Sequence, residues 1–555
     1  MTTREQRRLW ALWALCAALS LALIHLHYRA DRQNTQRAEA VGDTQGDEPS
    51  TDNDDASATA SAKPNLQDVT AAPRRGRAIS AADNGSYVFT TRDASALAAL
   101  RRSMAAAGLQ EIGSIETLRM LRVAGGGDAL AGLLARLPDG VSVEKDRVVW
   151  LPEQNVAAWT GYAGMPFRDT LLSSMGIDRE RGDRGDAVLI ALLDTPLLAH
   201  VSLDGAKIAG LDLFGVSGEG AYAGHATAVA SLLVGQSAEL PGIAPAASLL
   251  SIPVMSGEGA GSAFQVAEAI IAAVSAGADI ISMSLGTYDD SAALRAAVAY
   301  AQEHGVVLIA AAGNDGLAQV TYPAAYEQVI AVAAVDARWT HAGFSNRGAA
   351  VDIAAPGVGI YAAGSDGSGS EAFSGTSAAV PCVSGALACV LSADAALSAQ
   401  DAMALLLAYS NDNGAAGADA LYGEGVLAYD RVVEREQPGI YDAAAAGHAA
   451  QYEAVTAGYL PIQVSAQNRG TEPLPKLLLS VTLAGRETVF TFNDVQPGQV
   501  VADVISLDLE LMQSGRTLLL ESRVETPGIE DSKPGNETRR SVISMPVSTD
   551  TSGGD

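Results

Sequence analysis

Three cysteines in 555 residues exclude a disulfide-built scaffold. Cations are also short. Lys and Arg number 36 against 64 Asp and Glu, a formal net charge of −28. Nucleic acid is therefore no expected partner, nor is an anionic lipid surface, since both demand a basic footprint. The chain lacks a G-x-x-x-x-G-K phosphate loop and a G-x-S-x-G elbow, so neither the P-loop nor the α/β-hydrolase pattern applies. No cluster of carboxylates assigns a metal site. What the chain has in excess is glycine, 56 residues, above the usual share of about 7% and without collagen's period. At about 150 residues per domain the length suggests three or four domains, with ample core.

The start of the chain addresses it out of the cytosol. Arg4, Arg7 and Arg8 precede an uncharged stretch of 20 residues from Leu9 to Tyr28, about the length that spans a bilayer as a helix. A cleaved signal usually has a shorter apolar region, about 7–15 residues, ending at a small-residue site. His25-Leu26-His27-Tyr28-Arg29 offers no such site. Residues 1–29 thus read as a membrane anchor, with a cleaved signal as the alternative, and the arginines keep the N-terminus inside. The expected location is outside the cytosol, either anchored and facing the periplasm or exterior, or secreted after processing.

Residues 30–78 are polar, with Asp52-Asn53-Asp54-Asp55 at their centre. They bury too little apolar surface to offset ordering entropy and read as a disordered acidic tether. Residues 79–152 carry a small α+β pattern: a strand at Tyr87–Thr90, and a helix capped by Asp93 with Leu97, Leu100 and Met104 on one side. Another strand follows at Leu118–Val123, then a helix at Ala129–Leu137 and two closing strands at Val141–Val143 and Val148–Trp150. This predicts a ferredoxin-like β-α-β-β-α-β unit.

Residues 153–436 alternate apolar runs with helical patterns. The runs Ala187–Leu193, Leu249–Val254, Ile280–Met283, Val306–Ala312 and Val329–Val335 are short and continuous, as in strands buried on both faces of a parallel sheet. Helical patterns cover Ala263–Ala276 and Ser291–Glu303, another begins near Ser377, and one follows Ser398. The expected fold is a doubly wound, mostly parallel α/β sheet with its site at the strands' carboxyl ends. From residue 437 to 547 the period becomes two, over Leu460–Ala466, Leu477–Leu483 and Val500–Leu507, which predicts an all-β sandwich. Residues 548–555 read as a loose tail.

Three segments carry the chemistry. Leu192-Leu193-Asp194-Thr195 ends a strand in an acid. Gly224-His225-Ala226-Thr227 opens an apolar helix with a histidine. Ser374-Gly375-Thr376-Ser377-Ala378-Ala379-Val380-Pro381 opens a small-residue helix with a serine. Each alone is ordinary: a turn former, a core histidine, a helix cap. Their joint order, Asp…His…Ser on an α/β sheet, is that of subtilisin. A serine hydroxyl needs a base in hydrogen-bond reach, and a buried carboxylate holds the imidazole in one tautomer.

With these flanks, residues 186–433 resemble the subtilisin-like serine peptidases, the subtilases. Secondary matches are Gly242-Ile243-Ala244-Pro245, Met283-Ser284-Leu285-Gly286, Ala311-Ala312-Gly313-Asn314 and Ala355-Pro356-Gly357. The resemblance implies a serine endopeptidase acting through an acyl-enzyme. In it Ser377 is the nucleophile, His225 the general base, Asp194 its orienting acid and Asn314 an oxyanion donor. Ser284, Leu285 and Gly286, with Ala311, Ala312 and Gly313, would flank the first specificity pocket, and extended protein or peptide substrates would pair with those edges. Thr321 falls where the family often has glycine, which would narrow that pocket. The unit before the catalytic region resembles subtilase prodomains, so the family implies an intramolecular inhibitor removed by self-cleavage. That chemistry requires no cofactor. Structural calcium is common in the family, and its site here is unknown.

The chain departs from the family at Pro196, Ala226, Ala228, Ala378 and Cys382, and none of these removes a triad member. The alternative function is a catalytically inactive, subtilase-fold surface-binding protein. Gly218-x-Gly220-x-x-Ala223 has only a weak nucleotide-binding spacing, without a strand immediately before it. Cys382 and Cys389 are seven residues apart on one helix, about 10 Å by its rise, too far for a disulfide.

Overall fold

The computed structural model describes residues 85–125, 127–137, 139–152, 164–512 and 517–544. The N-terminal apolar stretch, the acidic tether and the tail after Val547 lie outside them.

The first elements are β1 (Ser86–Thr91), α1 (Ala94–Ala107), β2 (Gln110–Ile115), β3 (Met120–Ala124), α2 (Gly127–Leu134) and β4 (Val141–Lys145). Asp93 caps α1 by accepting from the Ala96 amide at 2.8 Å, and Leu97, Leu100 and Met104 are its buried face. The strands pair antiparallel in the order β2-β3-β1-β4. One expectation is corrected here. Val148–Trp150 (β5) is a strand but does not close this sheet. It pairs antiparallel with Ala260–Ser262, far along the chain. The second strand of the sheet is instead β2, whose sequence Gln-Glu-Ile-Gly-Ser-Ile is exposed over its first half and carries little apolar signal.

The large α/β region contains β6 (Leu189–Asp194), β7 (Lys207–Gly210), α3 (His225–Val234), β8 (Ser248–Pro253), β9 (Ala260–Ser262), α4 (Ala263–Ser275) and β10 (Ile280–Met283). It continues with α5 (Ala292–Glu303), β11 (Val307–Ala311), β12 (Val329–Val335), β13 (Ile353–Pro356), β14 (Ile360–Ala363), β15 (Ser370–Phe373), α6 (Thr376–Ala393) and α7 (Ala399–Ala408). Seven strands form one sheet in the order β13-β12-β11-β10-β6-β8-β7, every neighbouring pair parallel. Helices α3 and α6 cover one face and α4 and α5 the other, each over its own apolar cluster. The sequential order reverses direction at β6. A crevice outside the carboxyl end of such a strand is the ordinary ligand site of an open α/β sheet, and the last residue of β6 is Asp194.

Helix α6 is buried on nearly every side. Its Ala, Gly and Ser residues allow close approach: a Cβ on Gly385 would stand 2.6 Å from Ile243 Cγ2. Among the described residues it is the one helix long and apolar enough to cross a membrane, and its burial makes it a core helix.

Beyond α7 come β16 (Ala443–Ala450), β17 (Tyr459–Asn468), β18 (Leu474–Leu483), β19 (Arg486–Val495), β20 (Val500–Asp508), β21 (Leu518–Glu525) and β22 (Thr538–Ile543). They form two antiparallel sheets, β16-β17-β20 and β19-β18-β21-β22, which enclose one cluster of Leu, Val, Ile and Ala. Polar contacts join them to the α/β region. Asp412 donates its amide to Gln467 Oε1 at 3.0 Å, and Arg469 Nη2 donates to the Asp412 carbonyl at 3.2 Å.

Candidate active site

Asp194 arrives on β6 and His225 opens α3, 31 residues later. His225 Nδ1 lies 2.7 Å from Asp194 Oδ1, and both side chains are buried. The same oxygen accepts the Thr195 amide at 2.6 Å, and Thr195 Oγ1 accepts the Ala226 amide at 3.1 Å. The turn containing Pro196 therefore holds acid and imidazole together through three bonds. Phe373 stands edge-on to the imidazole, ring centroids 5.5 Å apart. It lies four residues before Ser377 and so brings the entry to α6 alongside the histidine.

Ser377 is the second residue of α6 and is fully buried. Among the described residues its Oγ has no hydrogen-bond partner, and neither has His225 Nε2. A buried polar atom left unpaired costs about 1–3 kcal/mol, and a catalytic role is one of the reasons a native structure retains such an atom. Pro381 inside α6 has no N–H to give the carbonyl of Ser377 four residues back. Ser284 Oγ donates to that carbonyl instead, at 3.1 Å.

Asn314 follows β11. Its Oδ1 accepts from the Thr376 amide at 2.9 Å and from Thr376 Oγ1 at 2.8 Å, so it caps the start of α6 from another element. Gly375 has φ 134°, a conformation that favours glycine. A Cβ placed on it would stand 2.8 Å from Asn314 Nδ2 and 3.6 Å from the Ser377 amide nitrogen. Two N–H donors thus border one point that only glycine leaves open.

Ser284, Leu285, Ala311 and Ala312 are all buried. Thr321 sits between the two segments they belong to. A Cβ on Gly286 would meet Thr321 Oγ1 at 2.4 Å, and one on Gly313 would meet Thr321 Cγ2 at 3.1 Å. Thr321 Oγ1 donates to the Ala311 carbonyl at 3.1 Å, while the Gly313 amide donates to Thr376 Oγ1 at 3.3 Å. The two segments, Thr321 and the start of α6 form one bonded unit.

The sequence reading missed what lies along these edges. Trp150 exchanges both main-chain bonds with Gly286, each 2.9 Å, and the Leu151 amide donates to the Gly259 carbonyl at 2.9 Å. Val148–Leu151 is thus a strand laid between the Gly259–Ser262 and Ser284–Gly286 segments. Val149 and Leu151 are fully buried. The small α+β unit docks through two acids. Glu144 Oε1 accepts from Ser291 Oγ at 3.1 Å and from the Ala292 amide at 3.0 Å. Asp146 accepts from Ser262 Oγ at 2.7 Å and from the Phe264 amide at 3.2 Å. These oxygens satisfy free N–H groups at the N-termini of α5 and α4, where negative charge also favours the helix dipole.

Gly220 has a packing role. A Cβ on Gly220 would stand 2.4 Å from the Gly257 carbonyl carbon. Cys382 and Cys389 are buried free thiols. Burial raises both pKa values, that of Cys389 to about 12, so neither is a ready nucleophile. Among the described residues no group of three or more His, Cys, Asp or Glu is arranged to hold a metal ion.

A seven-stranded parallel sheet with a buried Asp–His pair at its switch point and a serine opening the central helix defines a subtilisin-like protein. The subtilase family model matches residues 185–425. Subtilisin DY from Bacillus licheniformis is 36% identical over 257 residues, which are 44% of this chain and 91% of that protein. A thermostable alkaline protease from Halalkalibacterium halodurans is 40% identical over 217 residues, 38% of this chain and 59% of that protein. The match therefore spans less than two thirds of this second relative. Among solved structures, fervidolysin from Fervidobacterium pennivorans, a keratinolytic enzyme related to subtilisin, superposes with a TM-score of 0.53 at 20% identity. That superposition covers 83% of this chain and 76% of fervidolysin, and it shows a shared fold. The chain belongs to the subtilase family.

Proposed function

We propose that the chain is a serine endopeptidase that hydrolyses protein and peptide substrates. The observation that carries this reading is the buried 2.7 Å Asp194–His225 pair beside a helix start where Ser377 Oγ has no bond of its own. In the reaction His225 Nε2 takes the serine proton as Oγ attacks the scissile carbonyl. Asp194 keeps the proton of Nδ1 directed at itself and stabilises the imidazolium. The negative oxygen is received by the Ser377 amide, at the positive end of α6, and by Asn314 Nδ2. His225 then returns the proton to the leaving amine, and water releases the acyl group. Substrate lies extended along the Ser284–Gly286 segment, with its acyl-side residue toward Thr321, which restricts that position to small or medium side chains.

We assign residues 153–436 to the peptidase domain, 79–152 to a prodomain and 437–547 to a β-sandwich that braces the domain or binds surface material. Occupation of the Gly259–Gly286 cleft by Val148–Leu151 supports intramolecular inhibition by the prodomain. Residues 1–29 direct the chain out of the cytosol, and removal of the prodomain would free the peptidase from that segment.

The test is a fluorophosphonate probe together with a peptide-library digest, applied to wild type and Ser377→Ala. Labelling and hydrolysis that both vanish in Ser377→Ala support the reading. A wild type that neither labels nor cleaves leaves an inactive binding protein in its place.

A further inference from the structure

Residues Val148–Leu151 have a register, and it specifies more than occupancy of the cleft. Trp150 and Gly286 form a mutually bonded antiparallel pair. In such a ladder the next mutually bonded pair lies two residues on in one strand and two residues back in the other. Continued in register, the ladder would set residue 152 opposite Ser284, a pair whose main-chain bonds are not made in this structure. Ser284 is the residue whose hydroxyl holds the Ser377 carbonyl at 3.1 Å, so this pair would stand beside the nucleophile. To complete it, residue 152 must donate its N–H to the carbonyl of Ser284. Residue 152 is proline, which has no N–H and a fixed φ.

Resting on the peptidase assignment above, we infer that Pro152 occupies the acyl-side position of an in-chain cleavage site and makes that site slow. The three residues before it meet what the cleft asks of a substrate: Trp150 completes both bonds to Gly286, the Leu151 amide bonds Gly259, and Val149 and Leu151 are buried. In the pair that would seat the reacting residue, the bond to the Ser284 carbonyl is one that proline has no N–H to make. Cutting there transfers the Pro152 acyl group from the nitrogen of residue 153 to Ser377 Oγ. The serine proton passes through His225 to the departing amine, and water then frees the Pro152 carboxylate. The missing hydrogen bond leaves binding of residues 148–151 intact and slows this step. The segment before it therefore remains bound as a brake on its own removal. The same edge discriminates against proline at that position in other chains.

A net hydrogen bond is worth about 0.5–1.5 kcal/mol, so Pro152→Ala should accelerate self-cleavage after residue 152 by roughly 2- to 12-fold. The full-length chain is refolded, and conversion is followed by intact mass for wild type and Pro152→Ala. In parallel, mature enzyme is given three peptides, Val-Trp-Leu-Pro-Glu-Gln, the same with Ala for Pro, and the same with N-methylalanine. N-methylalanine lacks the N–H but has no ring. Faster conversion of Pro152→Ala is expected, with the Ala peptide cut fastest and the N-methylalanine peptide as slow as the Pro peptide. Equal rates for the Pro and Ala peptides overturn the inference, as does conversion of Pro152→Ala at the wild-type rate. An N-methylalanine peptide cut as fast as the Ala peptide overturns the role given to the N–H. Fluorophosphonate labelling of the same preparations separates the two levels: label with equal rates rejects the role of Pro152 alone, and no label rejects the peptidase reading with it.

Discussion

The hydroxyl of Ser284 donates to the carbonyl of Ser377 at 3.1 Å, a bond that exists because Pro381 has no N–H to offer that carbonyl. The Ser284–Gly286 segment and the start of α6 are thereby tied together. Ser284→Ala should lower stability by about 1–3 kcal/mol, the cost of a buried carbonyl left unpaired. It should also reduce kcat more than it raises KM, because the loosened group is the nucleophile. Thermal unfolding and peptide-anilide kinetics check this. Ser284→Thr, which keeps the hydroxyl, should recover most of both.

Asp194→Asn should leave the fold in place and reduce kcat by about 10⁴, since an amide at this position favours the wrong imidazole tautomer. The check is kcat with a matched circular dichroism spectrum. A loss under tenfold would mean that His225 is not the base.

Asn314 has two separable duties. Asn314→Asp keeps an acceptor for the Thr376 amide and hydroxyl but removes the Nδ2 donor. It should cost about 10²–10³ in kcat, the range measured for an oxyanion donor in subtilisin, with little change in Tm. Asn314→Ala should lose both, with a further stability cost of about 0.5–2 kcal/mol for the lost cap. A common kcat loss with divergent Tm values is the expected signature.

Thr321→Gly should widen the acyl-side pocket, because Thr321 stands against both Gly286 and Gly313. Library digestion should shift from small or medium residues toward Phe, Tyr and Leu before the cut bond. An unchanged profile would place the limit elsewhere. A Phe or Tyr preference already present in wild type would reject the narrowing itself.

Asp412 sits where the α/β region meets the C-terminal sheets. Burial raises its pKa from 3.8 to about 6, against the opposing Gly417 amide bond to Oδ1 at 2.7 Å. A folded pKa above the unfolded one means that the protonated form is favoured in the fold. The resulting stability is present below about pH 4 and is lost as pH rises through about 6. Asp412→Asn should therefore stabilise the chain at pH 7–8 by roughly 1–3 kcal/mol and by little at pH 4. Melting curves at the two pH values measure the difference.

Ile280–Met283 and Val329–Val335 were legible end to end, because strands buried on both faces read as unbroken apolar runs. Strand β2 was not: an exposed edge carries no such run. Nor was β16, whose sequence Ala-Ala-Ala-Ala-Gly-His-Ala-Ala has little β-propensity and becomes a strand by pairing with β17. Strand propensity depends on the neighbours a chain finds. For Val148–Trp150 the element was correct and its partner was not, since any extended apolar segment satisfies an open edge equally well in sequence terms.

The sequence by itself determined the chemical types at the site and their order, Asp194, His225 and Ser377, together with the small residues and turns around them. These are properties of local side chains and local spacing. Only the tertiary structure decided that Asp194 Oδ1 and His225 Nδ1 approach to 2.7 Å, and that Val148–Leu151 lies in the cleft rather than in its own small sheet. Both depend on where parallel strands cross over at β6 and on which backbone edges remain unpaired. Those are long-range conditions, set by the whole assembly of packed elements.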